Sequence, residues 1–381
     1  MNIIQLKKLS YDEVAKCNRC GFCLPSCPTY IIKGKEAYSP RGRNAITRFA
    51  IENKLELDEN TEKAIFTCLG CGACTAVCLS SVQTKDLIFQ NRECQVDVGF
   101  YPKVAERLVR TLEDSHNISD DDQEDRAEWQ ELIKELPEDA FEKEKAEVVF
   151  FVGCVASFFP MVQKIPANMA SIMQRAGVDF TILGGDEWCC GFPLIGAGMP
   201  EKLAAMKEHN LKKVADAGAG TIVFTCPSCY HTWKHFYETG ARLMHASQFI
   251  AELIRDGKIA LDKEVKATAT YHDPCDLGRN SGIFEEPREV IKAVPGLNFV
   301  ELPMNRKFSV CCGGGGNVEM TDPDVSARVA QMKLDSVKGV GAELVITGCQ
   351  QCVRTMGTRA KRGKIDIQIK DLTELVMDAM S

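Results

Sequence analysis

Five cysteines occur twice in this chain at a nearly fixed offset. Cys154, Cys189, Cys190, Cys226 and Cys229 reappear as Cys275, Cys311, Cys312, Cys349 and Cys352, displaced by 121, 122 or 123 residues. So regular a displacement marks an internal repeat, which confines the second half of the chain to two copies of one supersecondary unit. The residues between the cysteines repeat too. An apolar run at 148–152 ends at Gly153-Cys154, a second at 180–183 leads to Trp188-Cys189-Cys190, and a third at 221–225 leads into Cys226-Pro227-Ser228-Cys229. Helices are expected over about 161–175 and 201–217. In the second copy, 268–272 leads to Cys275, 299–302 precedes Cys311-Cys312, and 344–347 leads to Cys349 and Cys352. A further strand and helix close each copy: 243–245 before 247–255, and 365–369 before 371–380. Strands alternating with helices predict a parallel sheet, whose carboxyl edge is where such folds place their sites.

Adjacent cysteines make poor corners of one tetrahedral metal site. They can close a strained vicinal disulfide, or hold two metals of one cluster. The glycines that follow Cys312, from Gly313 to Gly316, favour the cluster. Residues without Cβ let the backbone approach and aim N–H groups at an anion, and a thiolate-ligated cluster is anionic.

The N-terminal part carries Cys17-x2-Cys20-x2-Cys23-x3-Cys27-Pro28 and, 51 residues on, Cys68-x2-Cys71-x2-Cys74-x3-Cys78. This is the spacing of bacterial ferredoxins with two [4Fe–4S] clusters, in which the fourth cysteine of each run serves the other cluster. A zinc site needs CxxC pairs separated by a loop, not four cysteines this close together. Leu79 stands where a proline often follows the fourth cysteine. Between the runs, Ile46, Phe49 and Ala50 recur at helical spacing, and Asp58 can cap a second helix ending near Phe66. Arg41 and Arg43 read either as surface arginines in a turn or as guanidinium donors near a cluster or a partner's carboxylates. Cys94 has no partner spacing and reads as a buried structural thiol.

From 113 to 147 the chain turns acidic. Trp129, Leu132, Ile133 and Leu136 suggest one short amphipathic helix ended by Pro137, within a solvated linker. The domains expected are a helical dicluster domain over 1–100, an acidic helical linker over 101–146, and two repeated α/β units over 147–262 and 263–381. A net charge of −7 argues against nucleic acid as a partner. The first eight residues lack the apolar core of a signal peptide, and the most apolar run, 148–159, is too short to span a membrane and is broken by Gly153 and Cys154. A cytoplasmic location is therefore expected, or a peripheral one at the inner face of the membrane through a partner. His231, His235, His272, Asp273 and Arg279 flank cysteine loops. The histidines read as hydrogen-bonded loop residues rather than ligands, and Asp273 and Arg279 as groups able to tune or protonate.

Taken together, residues 148–381 resemble the duplicated cysteine-rich (CCG) domains of the B and D subunits of heterodisulfide reductase. Residues 1–100 resemble the helical dicluster domain of its C subunit, fused as in its D subunit. The iron–sulfur subunits of glycolate and lactate oxidases and of benzoyl-CoA reductase complexes are similar. The resemblance implies an α/β fold: an all-α ferredoxin domain followed by two Rossmann-like cysteine-rich domains. It implies two cubane [4Fe–4S] clusters on Cys17, Cys20, Cys23, Cys27, Cys68, Cys71, Cys74 and Cys78. It further implies two noncubane [4Fe–4S] clusters, one thiolate of each bridging two irons. One set is Cys154, Cys189, Cys190, Cys226 and Cys229. The other, expected to be catalytic if either is, is Cys275, Cys311, Cys312, Cys349 and Cys352. The implied function is an iron–sulfur electron-transfer subunit of a heterodisulfide reductase-type complex. Alternatives are a catalytic subunit of a disulfide reductase, and the iron–sulfur subunit of an FAD-linked glycolate or lactate oxidase. Partners implied are a flavoprotein (an FAD-linked dehydrogenase, an electron-transfer flavoprotein or a protein like the A subunit of heterodisulfide reductase) or a membrane cytochrome.

Overall fold

A computed structural model describes residues 9–133 and 141–381. The first eight residues, and Leu136 and Pro137 of the expected amphipathic helix, lie outside them. The chain forms two compact units. The first gathers the residues up to Val109 with Pro193–Leu203 and Met304–Lys333; the second gathers Arg110–Phe192, Ala204–Pro303 and Leu334–Ser381.

The N-terminal part of the first unit is helical, as its periodicity predicts. Ser39 caps the helix Pro40–Ile51, its hydroxyl accepting from Gly42 N–H. Asp58 caps Glu59–Phe66 in a capping box with Thr61. Two further helices, Thr84–Asp97 and Val104–Asp114, follow the second cysteine run. The buried face of Pro40–Ile51 is more polar than expected: Arg43, Asn44 and Thr47 are buried with Ala50, whereas Phe49 is exposed.

The second unit contains two four-stranded parallel sheets. Strands β1 (Val148–Phe151), β2 (Phe180–Ile182), β3 (Thr221–Phe224) and β4 (Arg242–His245) lie in the order β2-β1-β3-β4. Strands β5 (Thr268–Tyr271), β6 (Asn298–Phe299), β7 (Leu344–Thr347) and β8 (Gln368–Asp371) repeat that order as β6-β5-β7-β8. Strand order reverses between β1 and β3 and again between β5 and β7, which opens a crevice at the carboxyl ends of both pairs. Phe150, Val223, Met244, Tyr271, Ile346 and Leu375 belong to one apolar core common to both sheets.

Two strands differ from expectation. β6 is only two residues long, pairing with β5 through Asn298 and Phe299 alone. β8 begins at Gln368, not 365: the helix Gln350–Gly363 exits through Lys364 in the left-handed conformation, with Ile365 N–H donating back to Ala360 O. The acidic stretch also departs from a solvated linker. Gln123–Leu132 forms a 3-10 helix in which Trp129 joins the core and Arg126 is buried. No helix among the described residues is long and apolar enough to cross a membrane.

Candidate metal centres

The two ferredoxin runs interleave. Cys27, from the first run, lines one pocket with Cys68, Cys71 and Cys74 of the second. Cys17 and Cys78 pack against one apolar cluster of Leu9, Val14, Val82, Leu87 and Cys94, and Asn18 donates to Ser80 beside them. Cys94 is thus buried in the core, as read from sequence. Cys20 is exposed. Arg41 and Arg43 divide the two readings between them. Arg41 sits at the surface, bound to Glu36. Arg43 is buried; it donates to Ala64 O and Thr29 Oγ1 and approaches the Cys27 sulfur at 3.9 Å. Burial pushes the Cys23 thiol up to about 11 and raises Cys27 and Cys74 as well. Thiolates in such a place need a cation to form, and iron supplies one.

The glycine run serves two purposes. Gly313 N–H is directed at Cys311 Sγ and Gly314 N–H at Cys312 Sγ, both at 3.4 Å, as expected for donors to an anionic sulfur. Gly315 and Gly316 instead admit a backbone. A Cβ on Gly316 would lie 2.3 Å from Cys68 O, and one on Gly315 2.5 Å from Leu69 O. Arg92 stitches this region together. Wholly buried, it donates to the carbonyls of Cys68 (2.6 Å), Ile65, Phe66, Gly196 (2.6 Å) and Gly316. Burial holds its guanidinium down at about 10.

In the second unit, the first five-cysteine set converges. Cys154 follows β1, and Cys226 and Cys229 follow β3, so three ligand positions stand at the switch point; Cys189 and Cys190 arrive from the loop after β2. All five are buried. Their thiols perturb one another's protonation in succession, Cys154 with Cys189, Cys189 with Cys190, Cys190 with Cys229, and Cys229 with Cys226. Cys189 and Cys229 beside it hold Cys190 below a free thiol. Gly153 must be a glycine here: its φ is +81°, and a Cβ would sit 3.0 Å from Cys229 Sγ. Buried sulfurs at this density with backbone N–H groups on them, such as Gly191 on Cys189, suit several irons better than one.

The stretch read as a linker forms one wall of this set. His116 O accepts from Cys189 N–H at 2.8 Å, and Trp188 stacks between the rings of His116 and His209. Gln123 donates to Gly185 O and Glu187 O. Arg126 donates to Cys154 Sγ at 3.4 Å and to Glu187 at 2.9 Å. The Glu187 carboxylate also accepts from Val152 and Gly153 N–H, at the very end of β1. Neither Arg126 nor Glu187 was legible in sequence, because an arginine in an acidic run and a glutamate in a loop carry no spacing signal.

Of the second set, Cys275, Cys349 and Cys352 lie at the carboxyl ends of β5 and β7 in the second unit, with Cys352 N–H donating to Cys349 Sγ. Cys311 and Cys312 are carried by the Met304–Lys333 segment of the first unit. Gln350, between Cys349 and Cys352, reaches the other repeat: it donates to Val152 O and Thr225 Oγ1 and accepts from Ala156 N–H. Asp276 accepts from Ser228 and Asn280. Asp273 is gripped by both terminal nitrogens of Arg288, at 2.7 and 2.9 Å, which makes it an ion-pair residue. His231 and His235 pack ring to ring.

Comparison with known proteins accords with this anatomy. A 4Fe-4S dicluster domain model matches residues 13–82, and a cysteine-rich domain model matches 148–234 and again 269–357. The D subunit of the dihydromethanophenazine:CoB–CoM heterodisulfide reductase of Methanosarcina mazei is 32% identical over 97% of this chain and 94% of its own length. The B subunit of the fumarate reductase (CoM/CoB) of Methanothermobacter marburgensis is 28% identical over all of this chain and 76% of its own. The EtfAB:quinone oxidoreductase of Syntrophomonas wolfei is 24% identical over 97% of this chain and 58% of its own. Dicluster and cysteine-rich domains together, on a frame shared over most of its length with the Methanosarcina protein, make this an iron–sulfur protein, and it belongs to the heterodisulfide reductase D-subunit family of oxidoreductase electron-transfer subunits.

Proposed function

We propose that the chain carries four four-iron clusters and relays single electrons between a ferredoxin-type pair and a noncubane pair. Cys17, Cys20 and Cys23 with Cys78 would hold one cubane, and Cys68, Cys71 and Cys74 with Cys27 the other. The common pocket of Cys27 with the second run supports this exchange of fourth ligands. Cys154, Cys189, Cys190, Cys226 and Cys229 would hold one noncubane cluster, and Cys275, Cys311, Cys312, Cys349 and Cys352 the other. The domains follow the ligands: a dicluster domain over 1–100, a joining segment over 101–146, and cysteine-rich domains over 147–262 and 263–381. The observation that carries the reading is the convergence of five buried thiols at the carboxyl ends of β1 to β3, with Arg126 and Gly191 N–H donating to their sulfurs.

The clusters supply one-electron storage. The protein supplies the rest. Its thiolates would fix the irons, glycine N–H groups and buried arginines would balance the sulfur charge, and the burial of the cysteines would keep water out. Relatives are named for a heterodisulfide, for fumarate and for a quinone. One frame serving three named reactions supports electron carriage as the common function, with a flavoprotein or a membrane cytochrome as the redox partner. The second reading, in which the second set itself cleaves a disulfide in two one-electron steps, is favoured by its complete complement of five cysteines.

The test is anaerobic preparation followed by metal analysis and a viologen-dependent disulfide reduction assay. Four clusters predict about 16 iron atoms per chain. Mainly zinc, or about half that iron, overturns the assignment. Disulfide turnover by the isolated chain decides for the second reading over pure carriage.

A further inference from the structure

We propose that Arg126 is a positioning residue that tunes the first five-cysteine set, its guanidinium donating to the Cys154 sulfur and raising the reduction potential of the centre held there. The inference rests on the reading that this set holds a cluster. It assigns a task to a segment that composition marks only as acidic.

The argument starts from burial. Arg126 is 2% exposed. A guanidinium withdrawn from water must be repaid by partners that share its charge. One partner is Glu187, itself 1% exposed. That carboxylate is heavily engaged elsewhere, because Val152 N–H donates to one of its oxygens at 2.7 Å and Gly153 N–H to the other at 2.8 Å. Its charge is divided among three donors, so Arg126 is only partly neutralised by it. The remaining partners are Gln123 Oε1 at 3.1 Å and Cys154 Sγ at 3.4 Å, with the guanidinium over the Phe158 ring. The positive end of the Arg126–Glu187 pair therefore faces the sulfur. A charged donor makes a stronger hydrogen bond than a neutral one. Hydrogen bonds to cluster sulfurs and the net charge around them are what set such potentials. Reduction adds negative charge to the centre, and a fixed cation beside a ligand sulfur favours the reduced form.

The placement is also built rather than incidental. Trp129, one helical turn on, is anchored in the apolar core. Gln123 clamps the loop before Cys189 through Gly185 O and Glu187 O, and His116 O receives Cys189 N–H. The segment thus grips the set at both Cys154 and Cys189.

The test is a potentiometric titration of the full-length, anaerobically reconstituted chain, reduced with dithionite and read by EPR. The signal that Cys190→Ser removes marks the first set. Arg126→Gln is expected to lower the ratio of reduced to oxidised centre at the wild-type midpoint by about tenfold, which is 59 mV for a one-electron couple. Arg126→Lys, which keeps the charge, should shift it less. Glu187→Gln leaves the guanidinium less neutralised and should shift the midpoint upward. Opposite signs for the two variants are what a merely structural role does not produce. An unmoved midpoint in iron-replete Arg126→Gln, or shifts of the same sign in Arg126→Gln and Glu187→Gln, overturns the inference. If Arg126→Gln takes up too little iron, Glu187→Gln carries the test: an upward shift supports the inference and no shift overturns it. Failure of the underlying reading looks different, because Cys190→Ser would then remove no signal from the wild-type spectrum.

Discussion

Arg43, Arg92 and Arg126 are all buried, each within reach of a cysteine or of the carbonyl of one. Burying arginine is costly, so the carbonyls and sulfurs that it meets must be ones the fold needs held together. Arg92 makes the sharpest case, since its partners are backbone carbonyls from three separate stretches of the first unit, 65–68, 196 and 316. Arg92→Met keeps the bulk but leaves those carbonyls without a donor, and is expected to destabilise the protein by roughly 3 kcal/mol. Arg92→Lys should recover only part of this, because an ammonium cannot fan out to five acceptors. Urea unfolding midpoints of the two variants check the order. His245 supplies a pH dependence. It is buried at the end of β4, its Nδ1 accepting from Ser247 N–H, and burial lowers it to about 3. The folded value lies below that of the unfolded chain, about 6.5. The unfolded chain therefore binds the proton first, so stability is full above about pH 6.5 and falls as the pH drops toward 3. One proton is worth up to about 1.4 kcal/mol per pH unit over that window. His245→Asn should remove this contribution to the slope, measured by urea unfolding between pH 6.5 and pH 5.

At the scale of elements, close approach is the recurring demand. Gly341 and Gly316 both have positive φ, at +69° and +60°, but only Gly316 faces backbone, with open space beside Gly341. Gly341→Ala should cost about 1–2 kcal/mol, the strain of a left-handed alanine. Gly316→Ala adds an overlap with Cys68 O and is expected to cost at least twice as much, with iron lost from the second ferredoxin run. Paired unfolding and iron measurements test this. The elements themselves were largely legible. Strands β1, β3 and β7 are mostly apolar runs because each is central in its sheet, whereas the equally central β5 carries two threonines, and cysteines after all four fall at the carboxyl edge. The Asp58 capping box announces its helix through local chemistry alone. What stayed hidden depends on tertiary partners. The edge strand β6 has too few residues to show a period. Trp129 reads as part of a linker until its core is known, and Arg126 reads as one more charge until Cys154 stands beside it. The glycines after Cys312 were legible as N–H donors at Gly313 and Gly314. The backbone that Gly315 and Gly316 admit belongs to Cys68 and Leu69, more than two hundred residues away in sequence.

For the whole molecule, the question is whether electrons pass through the chain or end there. Cys20 and Cys312 separate the two cases. Cys20 belongs to the ferredoxin runs and is exposed, and Cys312 belongs to the second five-cysteine set and is buried. Cys312→Ser exchanges a soft thiolate for a poorly matched hydroxyl. If the second set is catalytic, this variant should abolish viologen-dependent disulfide reduction while the ferredoxin centres stay reducible, since those draw on other cysteines. Cys20→Ser should interrupt delivery of electrons yet preserve the EPR signal of the five-cysteine sets. If the chain is a carrier, neither variant has a disulfide activity to lose, and both should slow electron flow from a flavoprotein to its acceptor. The measurement is therefore paired, with both turnovers followed for wild type and both variants. Disulfide turnover that survives in Cys312→Ser removes the second set from catalysis. Flavoprotein turnover that survives in Cys20→Ser removes the first ferredoxin run from the path.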